Sequence, residues 1–271
     1  MAKRKSRIQL RTGSELDGLR EAGKIAAEIL RRCCEMAKPG VTTGEIDSAA
    51  ADYMSEHDCV SAFLGYKGFP GQICISVNEE IVHGIGCDRV LLDPDVVKID
   101  VGIVSRDGWI GDNAKSVPVG KLSAESESLL AVTEESLYAA IDNARDGELL
   151  STLCASVEET VQPHGFTVVK QFVGHGVGRK LHEEPQVPNY WDPEEMRVRR
   201  FKNPRLQAGM VLAIEPMVNA GTEDVLILDD DWTVITADRA LSAHFEHTVL
   251  VTDGEPEILT PRERSFSPAA A

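Results

Sequence analysis

The sequence VKIDVGI at positions 97–103 and the sequence VLAIEPM at positions 211–217 decide the fold, because each is an apolar, strand-like run that contains one carboxylate. Two stretches with the apolar spacing of helices precede each run, 14–38 and 43–57 in the first half and 123–143 and 151–162 in the second. The halves repeat one order of elements, which indicates an internal duplication. No linker rich in Pro, Gly or Ser divides them, so we expect one domain at 14–262, between a basic flexible tail at 1–13 and a flexible tail at 263–271.

Capping residues and β-like runs complete the predicted element order. Ser14 and Ser151 stand where helix N-caps are expected, and Pro39-Gly40 ends the first helix. Apolar runs typical of strands occupy 73–77, 96–104, 166–173, 210–218, 225–228, 233–236 and 247–251. The segment 192–207 is rich in Arg and Lys, and we interpret it as a solvated surface loop, with a lid or docking patch as the alternative.

The composition limits the class of protein and its partners. Apolar residues make up 42% of the chain, and 44 acidic against 28 basic side chains give a net charge of −16. This excess of negative charge argues against nucleic acid or an anionic membrane as the main partner. The basic tail leads into no apolar run, so we expect no secretory signal. Six cysteines without a C-x-x-C pair then indicate reduced thiols and a cytoplasmic protein.

Four carboxylates and one imidazole lie on or beside β-like segments and predict a metal site. They are Asp100, Asp112, His175, Glu215 and Glu246. Four acids that converge on one pocket would repel each other and would be costly to bury without compensation. Their four negative charges match two divalent cations, so we predict that these residues bind two adjacent metal ions.

Each predicted ligand has a structural alternative when taken alone. The alternative for Asp100 is a buried acid satisfied by backbone N–H groups, and the alternative for Asp112 is a turn acid, because it follows the turn signal Arg106-Asp-Gly. The same signal also predicts a hairpin that places the two acids on neighbouring strands. Pro216 holds Glu215 in an extended conformation and removes a backbone donor. His175 lies in the glycine-rich sequence VGHGVG, where something must approach the backbone closely.

Other histidines divide by their local context. His83, in VHGIG, and His182, in LHEEP, have neighbours that suggest a site, whereas His57, His164 and His244 do not. His247 adjoins Glu246 and is expected to support it rather than to bind metal.

Together these motifs resemble the type I methionine aminopeptidases. The matching sequences are HGIG from His83, IDVG around Asp100, GDN around Asp112, GHGVG around His175, HEEP from His182, IEPM around Glu215 and FEHT around Glu246. The resemblance covers about 8–260. It implies an α/β (α+β) fold of the pita-bread type, in which a curved antiparallel sheet with pseudo-two-fold symmetry is flanked by helices. It also implies removal of the initiator methionine from nascent polypeptides when the second residue is small.

The resemblance assigns a role to each predicted site residue. The four acids and the imidazole would bind two divalent ions (Co, Mn, Fe or Zn), with Asp112 and Glu246 bridging them. Glu215 would also act as the general base, while His83 and His182 would hydrogen-bond the scissile amide and stabilise the tetrahedral intermediate. The implied enzyme is a monomer that acts on new N-termini, and its basic tail is either solvated or in contact with a negatively charged partner such as the ribosome.

The predicted methionine pocket departs from the family pattern. Its lining by position is Phe63, Tyr66, Phe69, Cys74, Leu181 and Trp232. The family commonly has a small residue at the position of Phe63 and an aromatic one at Leu181, so the two changes offset each other in volume. His244 stands where glutamine is frequent, and the turn between Asp100 and Asp112 is one residue longer than in many members.

Two other functions fit parts of the pattern. An Xaa-Pro peptidase of the same fold usually has an additional N-terminal domain, which the sequence before Ser14 does not accommodate. A non-catalytic, peptide-binding adaptor would have lost metal ligands, whereas all five positions retain ligand side chains here.

Overall fold

The computed structural model describes residues 8–266, so parts of both predicted tails, 1–7 and 267–271, lie outside the described residues. The domain boundaries at 13 and 263 stay predictions. Within the described parts of the two predicted tails, the Arg11 backbone N–H donates to the Gly209 carbonyl at 2.8 Å, and the Ser265 N–H donates to the Glu134 carboxylate at 2.9 Å.

Each half begins with two helices, which are followed by antiparallel strands, and the second half also contains a third, short helix. The first half contains α1 (Ser14–Met36), α2 (Thr43–Glu56), β1 (Val60–Ser61), β2 (Cys74–Val77), β3 (Glu80–Val82), β4 (Asp95–Val104) and β5 (Ile110–Val119). The second contains α3 (Ala124–Asp142), α4 (Leu150–Val161), β6 (Thr167–Val168), β7 (Gly174–Gly176), β8 (Glu183–Val187), α5 (Pro193–Arg199), β9 (Val211–Ile214), β10 (Met217–Asn219), β11 (Val225–Ile227), β12 (Val234–Thr236), β13 (Ser242–His244), β14 (His247–Leu250) and β15 (Glu257–Ile258). The predicted α+β class is therefore confirmed.

Two predicted N-caps are wrong. Gly13 takes the N-cap position of α1, and Ser14 is already helical. Helix α4 begins one residue before Ser151, because a bridge between Leu149 and Arg205 fixes the preceding backbone. The Ser151 N–H is satisfied from a distant loop, since it donates to the Asn203 side chain at 2.9 Å.

Three predicted segments differ in detail from the observed elements. The run 166–173 contributes only the two-residue strand β6, because its partner β10 is itself only three residues long. The run 210–218 divides into β9 and β10 at Glu215-Pro216, where proline lacks the donor that would continue the ladder. The segment 192–207 contains helix α5, whose N-cap Asp192 accepts backbone hydrogen bonds and precedes Pro193 at the first helical position.

Helix α1 packs across the hairpin of β4 and β5, and glycine permits its close approach. A Cβ at Gly111 would lie 2.3 Å from the Ala22 carbonyl oxygen, so no larger residue fits there. The ten-residue pairing places Gly102 opposite Asp112 and Ala114 opposite Asp100. The predicted hairpin is thus confirmed. In the second half, β9 lies between β14 and β7, with Ala213 paired to both Thr248 and His175.

Two further observations concern the whole described chain. All six cysteines are free, as expected for reduced thiols. Within residues 8–266, no helix combines the length and the apolar character needed to cross a membrane.

Candidate metal centre and substrate cavity

The five predicted ligands come together where the two halves meet. Asp100 and Asp112 are on neighbouring strands of the first half, and His175 is in β7 of the second. Glu215 is in the break between β9 and β10, and Glu246 is in the break between β13 and β14. Both glutamates therefore occupy interruptions of a strand, where a side chain can leave the plane of the sheet.

Measured distances define the centre of this cluster. Ligand atoms of Asp112, His175 and Glu246 all lie within 4.8 Å of one another. The Nε2 atom of His175 is 3.5 Å from Oε1 of Glu215 and 3.9 Å from Oδ2 of Asp112. Asp100 is paired with Cys74 in β2 and faces the same cavity.

Buried negative charge is the dominant electrostatic feature. Burial raises the pKa of all four carboxyl groups, to about 7 for Asp112, and neighbouring carboxylates raise those of Asp100, Glu215 and Glu246 further. Buried oxygens of Asp100, Asp112 and Glu246 have no hydrogen-bond partner within the described chain. Oxygen atoms left without a donor, at close range to one another, fit the coordination of hard or borderline cations.

His175 is oriented as a metal ligand would be. Its Nδ1 lies 3.0 Å from the carbonyl oxygen of Gly176, which can only accept, so the proton is on Nδ1. The lone pair of Nε2 consequently points toward the carboxylates. Burial lowers the pKa of His175 to about 3, which keeps the ring neutral. The chemistry of the five residues therefore fits a divalent metal, and three of them, Asp112, His175 and Glu246, lie close enough together to hold one ion.

His83 and His182 border the same space. The rings of His175 and His182 are 4.3 Å apart, and Nδ1 of His182 lies 2.9 Å from the Tyr66 hydroxyl oxygen. His83 has φ of 61°, an uncommon backbone conformation, and packs edge-on against Phe172 at 5.4 Å. Desolvation lowers the pKa of both, to about 4 for His83. Both rings are thus neutral near pH 7.

Hydrogen bonds between the two halves hold the backbone of the predicted metal ligands in place. The Thr248 hydroxyl donates to the Asp112 carbonyl at 2.7 Å, and the Glu246 N–H donates to the Ala114 carbonyl at 2.9 Å. Arg262 donates to the carbonyls of Glu246 and Ala114, each at 2.9 Å. The Nδ1 atom of His247 lies 2.9 Å from the Thr260 hydroxyl oxygen.

A cavity of about 300 Å³ opens beside the cluster. All six predicted pocket residues line it, together with His83, His182 and the five predicted ligands. Phe69 and Trp232 meet edge to face at 5.1 Å and form part of its apolar wall. The cavity therefore joins an apolar chamber to a set of metal-binding side chains.

Comparison with known proteins agrees with this arrangement. The sequence model of metallopeptidase family M24 matches residues 17–253. The chain belongs to metallopeptidase family M24. Members of this family are metal-dependent peptidases, so use of a divalent metal follows from membership. The family match covers both halves of the fold, and with it all five clustered residues.

Relatives with known names cover nearly the whole chain. Methionine aminopeptidase 1 of Bacillus subtilis is 46% identical over 253 residues, which is 93% of this chain and 99% of the relative. Methionine aminopeptidase of Escherichia coli is 45% identical over 264 residues, 97% of each chain. The solved structure of methionine aminopeptidase from Thermotoga maritima superimposes with a TM-score of 0.89 at 39% identity, and covers 94% of this chain and 100% of that one.

More distant M24 structures agree in fold alone. The prolidase of Pyrococcus furiosus has a TM-score of 0.76 at 22% identity, and this chain covers 66% of its length. The pita-bread fold expected from the sequence is thus confirmed.

The cavity also contains residues that the sequence analysis missed. They are Lys67, Val82, Gln171, Phe172, Val173, Met217 and His244. His244 is the clearest miss, because it is buried and its Nε2 has no hydrogen-bond partner within residues 8–266. It lacks neighbouring glycine or proline, yet it precedes Glu246 by two positions. Since residues two apart in an extended segment share a face, that spacing was the available signal.

Proposed function

We propose that this chain is a methionyl aminopeptidase, which removes the N-terminal methionine of peptides and nascent proteins when the second residue is small. The observation that carries the proposal is the apolar cavity ending at the five clustered residues, in a chain 45% identical to a methionine aminopeptidase over nearly its full length. A cavity of about 300 Å³ is adequate for one unbranched thioether side chain together with the peptide backbone at the metal site.

We propose that Asp100, Asp112, His175, Glu215 and Glu246 hold two divalent ions, with Co, Mn, Fe and Zn as candidates. Support comes from the unpartnered buried oxygens and from a carboxylate charge of −4, which two such ions would balance. When bound, the ions supply Lewis-acid activation of water and carbonyl.

The side chains of the protein would then move the protons. Glu215 would accept the proton of the attacking water and deliver it to the departing amine, the role of a general base and acid. If the Tyr66 hydroxyl donates to Nδ1 of His182, the proton of that ring is on Nε2 and is available to the substrate. A neutral His83 and a neutral His182 can both donate hydrogen bonds to the developing oxyanion or the scissile amide.

The proposal also includes the binding partners of the protein and its location in the cell. We propose that the substrates include nascent chains, that the basic residues at 1–11 contact the ribosome, and that the enzyme is a cytoplasmic monomer. The charge contrast between this short segment and a chain of net charge −16 supports a separate contact for it. Most of the segment lies outside the described residues. Cosedimentation of the protein with ribosomes, with and without residues 1–7, would test the contact.

The test is a peptide panel: Met-Ala-Ser, Leu-Ala-Ser and Ala-Pro-Ser, with and without chelator. We expect rapid release of methionine from the first, slow release of leucine from the second and none of alanine from the third. Chelator should abolish cleavage, and Mn²⁺ or Co²⁺ should restore it. Equal rates on the leucine peptide would refute methionine specificity, whereas cleavage of Ala-Pro-Ser would favour an Xaa-Pro peptidase. Cleavage that survives chelation would refute the metal centre.

A further inference from the structure

A short turn at the cavity mouth presents one positive charge. Residues Tyr66–Gly68 form a 3-10 helix that follows Gly65 and ends with Gly68, and these two glycines have φ of 78° and 94°. Lys67 itself has φ of 50°, which is uncommon for a residue with a side chain. The turn is closed by the Gly65 N–H, which donates to the Phe69 carbonyl at 2.8 Å. The backbone beneath Lys67 is therefore well defined.

Lys67 is the one lysine or arginine among the described residues that line the cavity. Its side chain is exposed, and across residues 8–266 no carboxylate forms an ion pair with it. The ammonium lies 5.3 Å from the ring centre of Tyr66, whose hydroxyl contacts His182. Its charge contributes to lowering the pKa of both His83 and His182, as expected for a cation close to both rings. The mouth thus has an uncompensated positive charge beside the two histidines.

The path of the substrate leads past this charge. With methionine in the apolar chamber and the scissile amide between His83 and His182, the peptide leaves through the open side of the cavity, where Lys67 is exposed. Each extended residue advances the chain by about 3.3–3.6 Å. The second residue must be small because it lies within the site. The third residue is the first whose side chain has room to reach the mouth.

We propose that Lys67 is a specificity-determining residue that favours substrates with an acidic side chain at the third position. This inference rests on the proposed aminopeptidase function and specifies its substrates further. A protein of net charge −16 repels acidic peptides in general. Two divalent ions would cancel the carboxylate charge in the centre, so Lys67 then sets the sign of the local field at the mouth.

The test uses C-terminally amidated peptides, so that no terminal carboxylate competes for the ammonium. The peptides are Met-Ala-Glu-Ser, Met-Ala-Gln-Ser and Met-Ala-Lys-Ser, and the enzymes are wild type, Lys67→Met and Lys67→Glu. For wild type we expect kcat/KM on the Glu peptide to exceed that on the Gln peptide about three- to tenfold, mostly through KM, as for charges roughly 6–8 Å apart in a hydrated mouth. The ratio should fall to about one in Lys67→Met, and in Lys67→Glu the Lys peptide should become the better substrate.

Controls separate this inference from the function on which it rests. Lys38→Met removes one positive charge from an exposed residue outside the cavity lining and should keep the wild-type ratio. Raising the salt to 0.5 M should reduce the ratio in wild type. If wild type cleaves all three peptides but the Glu-to-Gln ratio is the same in Lys67→Met, the inference is wrong and the aminopeptidase function stands. If wild type cleaves none of them, the proposed function is wrong.

Discussion

A single added methyl group should test how the pocket accommodates Phe63. Gly102 lies near the C-terminal end of β4, directly against the Phe63 ring. A Cβ at position 102 would be 2.4 Å from Cε1, 2.6 Å from Cζ and 3.1 Å from Cδ1 of that ring. Carbon atoms in contact are about 3.5–4.0 Å apart, so in Gly102→Ala the ring must retreat by about 1 Å. Phe63 is buried and lines the cavity, so displacement of its ring changes the shape of the methionine chamber.

Overpacking of this kind typically costs about 1–3 kcal/mol of unfolding free energy. We therefore expect Gly102→Ala to lower the Tm by roughly 2–10 °C for a domain of this size. The narrowed chamber should raise KM for Met-Ala-Ser by about tenfold, the effect of about one methylene group in an apolar pocket. Thermal melts and steady-state kinetics on the metal-loaded enzyme measure both quantities.

A double-mutant cycle with Phe63→Leu isolates the cause. In the Phe63→Leu background the alanine has a smaller, flexible neighbour, so its cost should fall by about 1–2 kcal/mol. Gly254→Ala is the matched control, because the nearest atom to its added Cβ is 3.9 Å away, and its effect should stay within about 0.5 kcal/mol. An equal cost of Gly102→Ala in both backgrounds would refute the reasoning and point instead to Asp112, which is opposite Gly102 in the register.

Three further predictions follow from the buried charges. Glu215→Gln should lower kcat about 10²–10⁴-fold while the Tm stays near that of wild type, because the amide has the shape of the carboxylate but cannot take up the proton of water. A small loss of kcat in stopped-flow assays would exclude a general base at this position. Without metal, burial raises the pKa of Asp112 to about 7, so its contribution to stability is complete below the unfolded pKa of 3.8 and declines as pH rises toward 7. A bound cation must displace the proton of Asp112, so the increase in Tm caused by Mn²⁺, relative to chelator, should grow from pH 5.5 to 7.5. An increase that stays constant over this range would contradict the reasoning. Burial lowers the pKa of Lys98 from 10.5 to about 7, so between these pH values the unfolded chain binds one more proton than the folded chain. The stability of wild type relative to Lys98→Met should therefore rise with pH. Urea unfolding at pH 7, 8 and 9 measures this difference in unfolding free energy, and a difference that does not change with pH would contradict the reasoning.

Much of the set of predicted metal ligands was recognisable from the sequence, because a charged side chain in an apolar run is costly to bury unless it is paired or bound to metal. Asp100 lies in a strand whose residues are mostly apolar, and Glu215 precedes the proline that follows another such strand. The turn signal at 106–108 placed Asp112 beside Asp100 through a local hairpin, which depends on sequence alone. Local signals of this kind predict which buried carboxylates need a metal ion or a hydrogen-bond donor to balance their charge. The geometry of the cluster itself still requires both halves to be assembled.

The errors have a common physical origin in distant contacts. Ser151 appeared to be an N-cap, but the backbone before it is fixed by Arg205 and its N–H is satisfied by Asn203. His244 has no local context in the sequence that suggests a site, yet its pairing with Met217 places it in the cavity wall. The fit of Phe63 depends on Gly102, 39 positions away in the chain (102 − 63). None of these partners is recognisable from the sequence around the residue that it affects.

Other distant contacts explain how a cluster of four carboxyl groups can persist before metal binds. Around Asp112 and Glu246, the halves are joined by bonds that do not involve carboxylates: Glu246 N–H to Ala114, the Thr248 hydroxyl to the Asp112 carbonyl, and Arg262 to both strands. These bonds hold the ligand backbone in place while protons, rather than cations, occupy the carboxyl groups whose pKa is raised by burial. Metal binding then exchanges protons for cations within a site that is already assembled. Chelated protein should therefore keep its near-ultraviolet circular dichroism while it loses activity, whereas a site organised by the metal itself would lose both together.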